Sequence, residues 1–356
     1  MAGFDPVAAH RNAGIPISGR SWTDFAADGD DLASVIFERC TFTRVRFERT
    51  GFLGAMFVDC RFDECTFHDC DLERAQWVEC RGTVVRITGE ATRCVQSTFV
   101  SCTFDALEIG ASADRLVVAE CTVALLAFAG PGLSQHAPTF SKLDAERFDA
   151  RGARWLYASA LEAPLASWSV EGASFEGSAF IEADAAGADL STVSIKRCSF
   201  HKSSFERAVV RSAPGSIFSS CALSGLDATE AELEGALFER VDCEGARFER
   251  ARLKGAMLVR SQWRSCDFSG AVAPGSAWVG STFSGCSLRA LRAPLSSFRG
   301  CVFDGTDVTG AFLERSDLHA VEGSLAGADV TGCQGTIEWR AERERGFDEG
   351  GPARAA

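Results

Sequence analysis

Few side chains in this sequence could support catalysis, and their spacing does not assemble an active site. Ser199 and Lys202 match the S-x-x-K spacing that provides a nucleophile in some acyl-transfer enzymes. His68, His201 and His319 are far apart along the chain. No GxxxxGK[ST] loop, which would cradle a phosphate, is present. These residues give no reason to expect an enzyme, a cofactor or a bound metal.

The 15 cysteines are the other group with chemical potential. Their number is odd and no CxxC pair occurs, so neither a disulfide framework nor a zinc site is indicated. Thirteen of them occupy one recurring position, where they alternate with Ala, Ser, Thr and Val. A free thiol at such a position acts as a small hydrophobe. We therefore expect a reducing, cytoplasmic setting.

Charge and hydropathy exclude several classes of protein. The net charge is −13, with 49 acidic and 36 basic residues, which argues against direct nucleic-acid binding and against anionic lipid. The N-terminal stretch MAGFDPVAAHRNAGIPISGR lacks a charged segment followed by an apolar run, so no signal peptide is expected there. No apolar stretch is long enough to cross a bilayer as a helix, so no membrane span is expected.

A five-residue period organises the chain. Every fifth residue from Leu32 to Ile87 is large and apolar, with Gly82 as the exception. The residue two places earlier is small or branched, as Cys40 and Ala55 illustrate. This period is neither the 3.6 of a helix nor the 2 of a strand, so it indicates a repeat architecture. Gly82 predicts a local defect, close to where the period first slips.

The period divides the chain into sections. It predicts an N-terminal cap over residues 1–31, a first repeat section over 32–128 and a second over 141–335. Residues 129–140 interrupt it with turn-forming residues and are expected to form an exposed loop. The candidate contact residues in this loop are Pro131, Gly132, His136 and Pro138. Residues 336–356 form a charged tail. Shorter slips in the period indicate residues inserted at corners.

A five-residue unit with two inward side chains makes one side of a square. The large central residue and the small one two places before it face the axis, and the other three face solvent. Four units close one coil, and coils stack at a strand spacing of about 4.8 Å. Ser199, Lys202 and the three histidines then lie on the outside of a filled structure that has no pocket. The predicted fold is all-β, a four-sided parallel β-helix.

The individual units resemble a known family. CTFTR, CRFDE, CDLER, ARFER and CDFSG, and the longer AGADL, are similar to the pentapeptide-repeat motif A(D/N)LXX. The resemblance covers about residues 32–335 with breaks. It implies a right-handed, four-sided β-helix. Some members imitate B-form DNA and bind DNA gyrase or topoisomerase IV, and others act as scaffolds in bacterial secretion systems. The dimer that the resistance proteins form through an apolar C-terminal helix does not fit a tail as charged as this one.

Two outward groups are candidate contact surfaces. Residues 155–195 contain six acids and no Lys or Arg, which could dock in a basic groove. These acids are Glu162, Glu171, Glu176, Glu182, Asp184 and Asp189. An apolar outward stripe is the second group, and it is expected either to lie under the N-terminal segment or to contact a partner or a second copy. The stripe consists of Ile36, Met56, Val58 and Val78.

Two functional hypotheses remain open on this sequence. The first is a non-enzymatic protein-interaction scaffold or adaptor, as in a bacterial secretion or assembly system, with a protein partner of unknown identity. The second is a DNA-mimicking binder of gyrase or topoisomerase IV that gives quinolone or toxin resistance. Outward residues of both signs, such as Arg39 beside Glu38, favour the first. The acidic stretch supports the second.

Overall fold

The fold consists of short parallel strands that pair with strands one coil away. The computed structural model describes residues 15–128 and 134–335. The chain divides into two compact units, Met1–Ala183 with Thr192–Ser194, and Asp184–Ser191 with Ile195–Ala356. Within the described residues, a 3₁₀ turn at Leu165–Ser167 is the only helical element. The predicted four-sided parallel β-helix is confirmed.

The strands of the first unit are mostly short. They are β1 (Ile17–Ser18), β2 (Ser21–Thr23), β3 (Ala26–Asp28), β4 (Ile36–Glu38), β5 (Thr41–Thr43), β6 (Arg46–Glu48), β7 (Met56–Val58), β8 (Arg61–Asp63), β9 (Cys65–His68), β10 (Gln76–Val78), β11 (Arg81–Thr88), β12 (Thr98–Val100), β13 (Thr103–Ile109), β14 (Val117–Ala119), β15 (Thr122–Ala127), β16 (Ser134–His136), β17 (Thr139–Ser141), β18 (Asp144–Asp149), β19 (Arg154–Leu156), β20 (Ser159–Leu161), β21 (Trp168–Ser169), β22 (Ser174–Glu176) and β23 (Ala179–Ile181).

The strands of the second unit are shorter, and isolated bridges take the place of strands on many sides of its coils. They are β24 (Asp189–Leu190), β25 (Ser194–Lys196, whose first residue belongs to the first unit), β26 (Ser199–His201), β27 (Val209–Val210), β28 (Ile217–Ser219), β29 (Leu237–Glu239), β30 (Asp242–Glu244), β31 (Met257–Val259), β32 (Gln262–Arg264), β33 (Thr282–Ser284), β34 (Val302–Asp304) and β35 (Glu322–Gly323).

The five-residue period sets the packing of the core. The central residues pair coil to coil, so Phe37 lies over Phe57 and Phe57 over Trp77. Ring centroids of Phe37 and Phe57 are 5.2 Å apart and the rings are nearly parallel. All three side chains are fully buried. Stacked rings and backbone bonds between successive coils therefore hold the array together.

The first coil begins earlier than the spacing predicts. Residues 17–28 form β1 to β3, which pair in register with β4 to β6. Trp22 stacks on Phe42 with ring centroids 5.0 Å apart. The described part of the predicted cap is thus a repeat coil. Because Ile17 pairs with Phe37 at the edge of the sheet, these residues extend the sheet rather than cover its outward stripe.

The period slips where coils change length. Phe57 pairs with Trp77, which is four repeat units further along the chain, but Trp77 pairs with Phe99, which is more than four units away. β11 keeps the four-unit register as far as Thr88, which pairs with His68. The extra residues therefore lie in the turn that follows, where the Thr92 amide donates to the Gly89 carbonyl. This confirms an insertion at a corner.

Part of the predicted loop belongs to the repeat array. Pro131 and Gly132 lie outside the described residues. His136 is in β16, which pairs with β19, and the Pro138 carbonyl accepts a bond from the Ser159 amide at 2.9 Å. The prediction of a loop over 134–140 is therefore wrong, because these residues complete the side of a coil. The charged tail, 336–356, also lies outside the described residues.

A buried amide occupies one central position. Gln135 is fully buried, and its side-chain amide has no hydrogen-bond partner among the described residues. Such a group costs about 1–3 kcal/mol. We expect Gln135→Leu to raise the free energy of unfolding by that amount in urea denaturation. Gln262→Leu, at an exposed outward position, is the control and should change it by less than about 0.5 kcal/mol. A loss of stability in Gln135→Leu would contradict this packing.

Candidate interaction surface

The cysteines are structural. All 15 are free thiols, 14 of them buried. The Cys60 thiol donates to the Phe37 carbonyl at 3.3 Å, and Cys80 repeats this contact with Phe57 one coil later at 3.2 Å. Burial raises the pKa of the Cys65 thiol to about 11, so that thiol stays protonated at neutral pH. Their role as small hydrophobes is as predicted from the spacing.

The residues that first suggested catalysis remain on the surface. Ser199 lies on β26, His201 is exposed on the same strand, and Lys202 follows at the corner with φ 51°. His68 and His319 are exposed beside acidic neighbours. No group of three or more His, Cys, Asp or Glu side chains that could hold a metal is found within residues 15–128 and 134–335. The described part of the chain also lacks a helix long and apolar enough to cross a membrane.

Many outward charges are paired with a partner one coil away. In the first unit, Arg44 contacts Asp24 at 2.5 Å and Arg93 contacts Glu73 at 2.8 Å. The second unit repeats the arrangement, as between Arg250 and Glu230 at 2.8 Å. A spacing of one coil along the chain brings these side chains together. Acidic and basic charges are thereby interspersed at these positions.

The most constrained of these carboxylates is Asp227, which contacts both Arg211 and Arg247. Burial alone would raise its pKa, but hydrogen bonds from Thr229 and Arg211 and the charge of Arg211 outweigh it and lower the pKa to about 2. Stability from this group is present above the unfolded pKa near 3.8 and is lost as pH falls towards 2. We expect Asp227→Asn to cost about 1 kcal/mol at pH 7. The difference in free energy of unfolding between wild type and Asp227→Asn should vanish in urea denaturation near pH 2. A difference that stays constant with pH would contradict this role of Asp227.

The six predicted acids do not gather on one side. Glu162 and Glu182 occupy equivalent corners of adjacent coils, where the Glu162 amide donates to the Ile181 carbonyl at 2.9 Å. Glu171 and Glu176 follow the central residues of two other sides. Asp184 and Asp189 belong to the other unit. Cations that are absent from the linear segment are supplied by neighbouring coils.

Two of these acids have such cations nearby. Arg151, whose pKa is raised chiefly by its hydrogen bond to Asp149, also feels the charge of Glu171. Asp189 has a lowered pKa, chiefly through a bond from Ser191 and also through the charge of Arg211. The acidic run in the sequence is therefore partly neutralised in space.

The four residues of the apolar stripe do come together. Ile36 pairs with Met56 and Val58 with Val78, on the outward face of β4, β7 and β10. All four are half-buried. The structure extends the stripe well beyond them, because Val78 pairs with Val100 and β12 pairs with β14.

The extended stripe is the uncharged strip, defined by the outward residues of β4, β7, β10, β12, β14, β17, β20 and β23. Each strand contributes two outward residues, and Glu38 is the one charged residue among these sixteen. The apolar members are Ile36, Met56, Val58, Val78, Val100, Val117, Ala119, Leu161, Ala179 and Ile181. Sequence reasoning missed those beyond Val78 because one longer coil and then a shorter one shift the period.

Comparison with known proteins identifies the repeats. The family described as Pentapeptide repeats matches in eight copies, over residues 171–211, 216–255, 281–319 and 296–334. The chain therefore contains pentapeptide repeats. The match falls in the part where the five-residue period is most regular. No curated protein sequence matches the chain.

The chain is also similar to solved structures, among them the following three, all at low identity and low TM-score. A trypsin-treated variant of QnrB1, a plasmid-mediated fluoroquinolone resistance protein, is 20% identical over 57% of this chain and 97% of its own, with a TM-score of 0.32. HetL, a pentapeptide repeat protein involved in heterocyst differentiation regulation from the cyanobacterium Nostoc sp. strain PCC 7120, is 16% identical over 93% and 97%, with a TM-score of 0.17. A mannuronic acid specific polysaccharide lyase from human gut microbiota is 8% identical over 97% and 93%, with a TM-score of 0.27. At these values no function is transferred.

Proposed function

We propose that this protein is a non-enzymatic interaction scaffold that binds a protein partner through the uncharged strip. The observation that carries the proposal is the contrast between sides of the same coils. The strip has one charge in sixteen outward positions, whereas other sides of the same coils carry ion pairs such as Arg86 with Glu108 at 3.0 Å. Apolar surface left in rows on a soluble protein commonly marks a contact site.

The proposed setting is the cytoplasm, because fifteen free thiols suit a reducing compartment. An accessory role in a bacterial secretion or assembly system is the finer form of this proposal. The alternative, imitation of DNA to bind gyrase or topoisomerase IV, requires a continuous acidic stripe. Its candidate residues lie on different sides and in two units, so we favour the scaffold.

A charge placed in the strip tests the proposal. We expect Val78→Asp to lose the proteins that co-purify with the wild-type chain from its native cells, because a carboxylate would be buried against the partner. Thr43→Asp is the matched control, since Thr43 is also half-buried and follows the central residue of its strand, on a charged side. It should recover the same proteins as wild type. Equal recovery by both variants, or no specific partner with the wild type, would contradict the proposal.

A further inference from the structure

The uncharged strip has edges of opposite character, which point to one kind of partner. Beyond the outward column that contains Val58 and Val78, the corner residues are mainly acidic, and all of them have positive φ. They are Arg39, Asp59, Glu79, Ser101, Glu120, Lys142, Glu162 and Glu182. The opposite corners carry no acid and are neutral or basic. They are Ser34, Gly54, Arg74, Gln96, Arg115, Ala137, Tyr157 and Gly177.

Two acids of this edge differ from the paired acids elsewhere on the first unit. Glu73 and Asp24 are each within ion-pair distance of an arginine one coil away. By contrast, Asp59 and Glu79 form no ion pair with any described residue, although they lie on adjacent coils. The Glu120 carboxylate accepts a bond from the Ser101 hydroxyl at 3.3 Å. These carboxylates therefore offer charge to a partner lying on the strip.

The shape of the strip argues for a narrow, linear partner. Its eight strands are stacked over about 34 Å at strand spacing, and its two outward columns are about 7 Å apart. A shallow groove runs between the columns because the central side chains point inward. One α-helix, about 10–12 Å across, covers this width, and a helix of about 22 residues matches the length.

A second copy fits the strip poorly. Twisted sheets that pack face to face cross at about 30°. Two strips about 12 Å wide that cross at this angle overlap over about 300 Å², less than the roughly 400 Å² that a helix would cover along the full length of the strip. A helix can instead follow the strip along its full length.

We infer that the partner presents an amphipathic α-helix, apolar on the side that meets the strip and lined with Lys or Arg along the edge that faces Asp59, Glu79 and Glu120. This inference rests on the proposed function and names the chemistry of its partner. Leucine-type side chains pack between Val58, Val78 and Val100, and the basic edge pairs with the carboxylates. The mode is helix-in-groove recognition with electrostatic complementarity at the rim.

Three synthetic peptides of about 22 residues test the inference by fluorescence anisotropy with the full chain. The basic peptide has Leu on one helical side and Lys along one edge. The second has the same composition in scrambled order, and the third replaces Lys with Glu. We expect the basic peptide to bind at least about tenfold more tightly than either of the others.

Charge-reversal variants distinguish pairing of the peptide with the acidic edge from its general attraction to the negatively charged protein. Glu79→Lys should weaken binding of the basic peptide by about tenfold and strengthen binding of the acidic peptide. Glu64→Lys is the matched control, because Glu64 has the same positive-φ corner conformation on a different side. It should leave both affinities unchanged, and circular dichroism would verify that both variants fold. Equal effects of the two variants, or equal binding of the scrambled peptide, would overturn the inference.

Light scattering tests whether a second copy of the chain, rather than a helix, occupies the strip. A wild-type dimer that Val78→Asp converts to a monomer would assign the strip to a second copy and overturn the inference. The proposed function can survive this inference. If Val78→Asp removes the cellular partner but the basic peptide fails to bind, the scaffold function is supported and the helical partner is contradicted.

Discussion

Phe57→Ala is expected to lower the free energy of unfolding by about 3–5 kcal/mol, because it removes a fully buried ring from the middle of a stack. The Phe57 ring is 5.2 Å from Phe37 and 5.3 Å from Trp77, nearly parallel to both. It also meets the edge of Phe62 at 5.3 Å. Adjacent coils cannot collapse into the space, since their separation is fixed by backbone hydrogen bonds.

Urea denaturation followed by circular dichroism measures this change. Met56→Ala is the matched control, since Met56 precedes Phe57 on the same strand but points outward and is half-buried. It should cost less than about 1 kcal/mol. A cost for Phe57→Ala as small as that of Met56→Ala would show that the ring is not packed inside.

Gly82→Ala is expected to cost about 3 kcal/mol or more, because the added methyl group has no space. A Cβ atom at Gly82 would lie 1.7 Å from the carbonyl oxygen of Phe62 and 2.6 Å from its carbon. Both atoms are backbone, so the two strands would have to separate. This close approach explains why the one exception to the period between Leu32 and Ile87 is a glycine.

Gly51→Ala is the control for this substitution. Its Cβ would meet Asp31 Oδ1 at 3.6 Å, an ordinary contact, and its stability should change by less than about 0.5 kcal/mol. The same denaturation experiment compares the two. Equal stability of the two variants would contradict the approach of the Gly82 backbone to Phe62.

The sequence predicts the structural features that depend only on the five-residue period within each unit. The stack of Phe37, Phe57 and Trp77 follows from one period, and so does the burial of cysteines such as Cys60. Each unit fixes its own two inward side chains, so no long-range information is needed. The same period locates the outward Val58 and Val78.

Features that depend on register between coils could not be predicted this way. Val78 is adjacent to Val100 only because that coil is longer than four repeat units, and a coil of four units would place Thr98 there. Gln135 is central because β16 pairs in register with β19, which places Gln135 beside Trp155. The pairing of acids with arginines also depends on which coils are neighbours. A run without Lys or Arg along the chain therefore did not predict an acidic surface.

Site-specific photocrosslinking around a single coil tests the central claim most directly. A photoreactive side chain is placed in turn at Val78, Arg81, Arg86 and Arg93, which face outward on successive sides. Each full-length variant is then irradiated in its native cells. We predict a crosslinked partner from position 78 and none from the other three. Crosslinking of the same partner from position 81, 86 or 93 with none from 78 would contradict the claim that the uncharged strip is the contact surface.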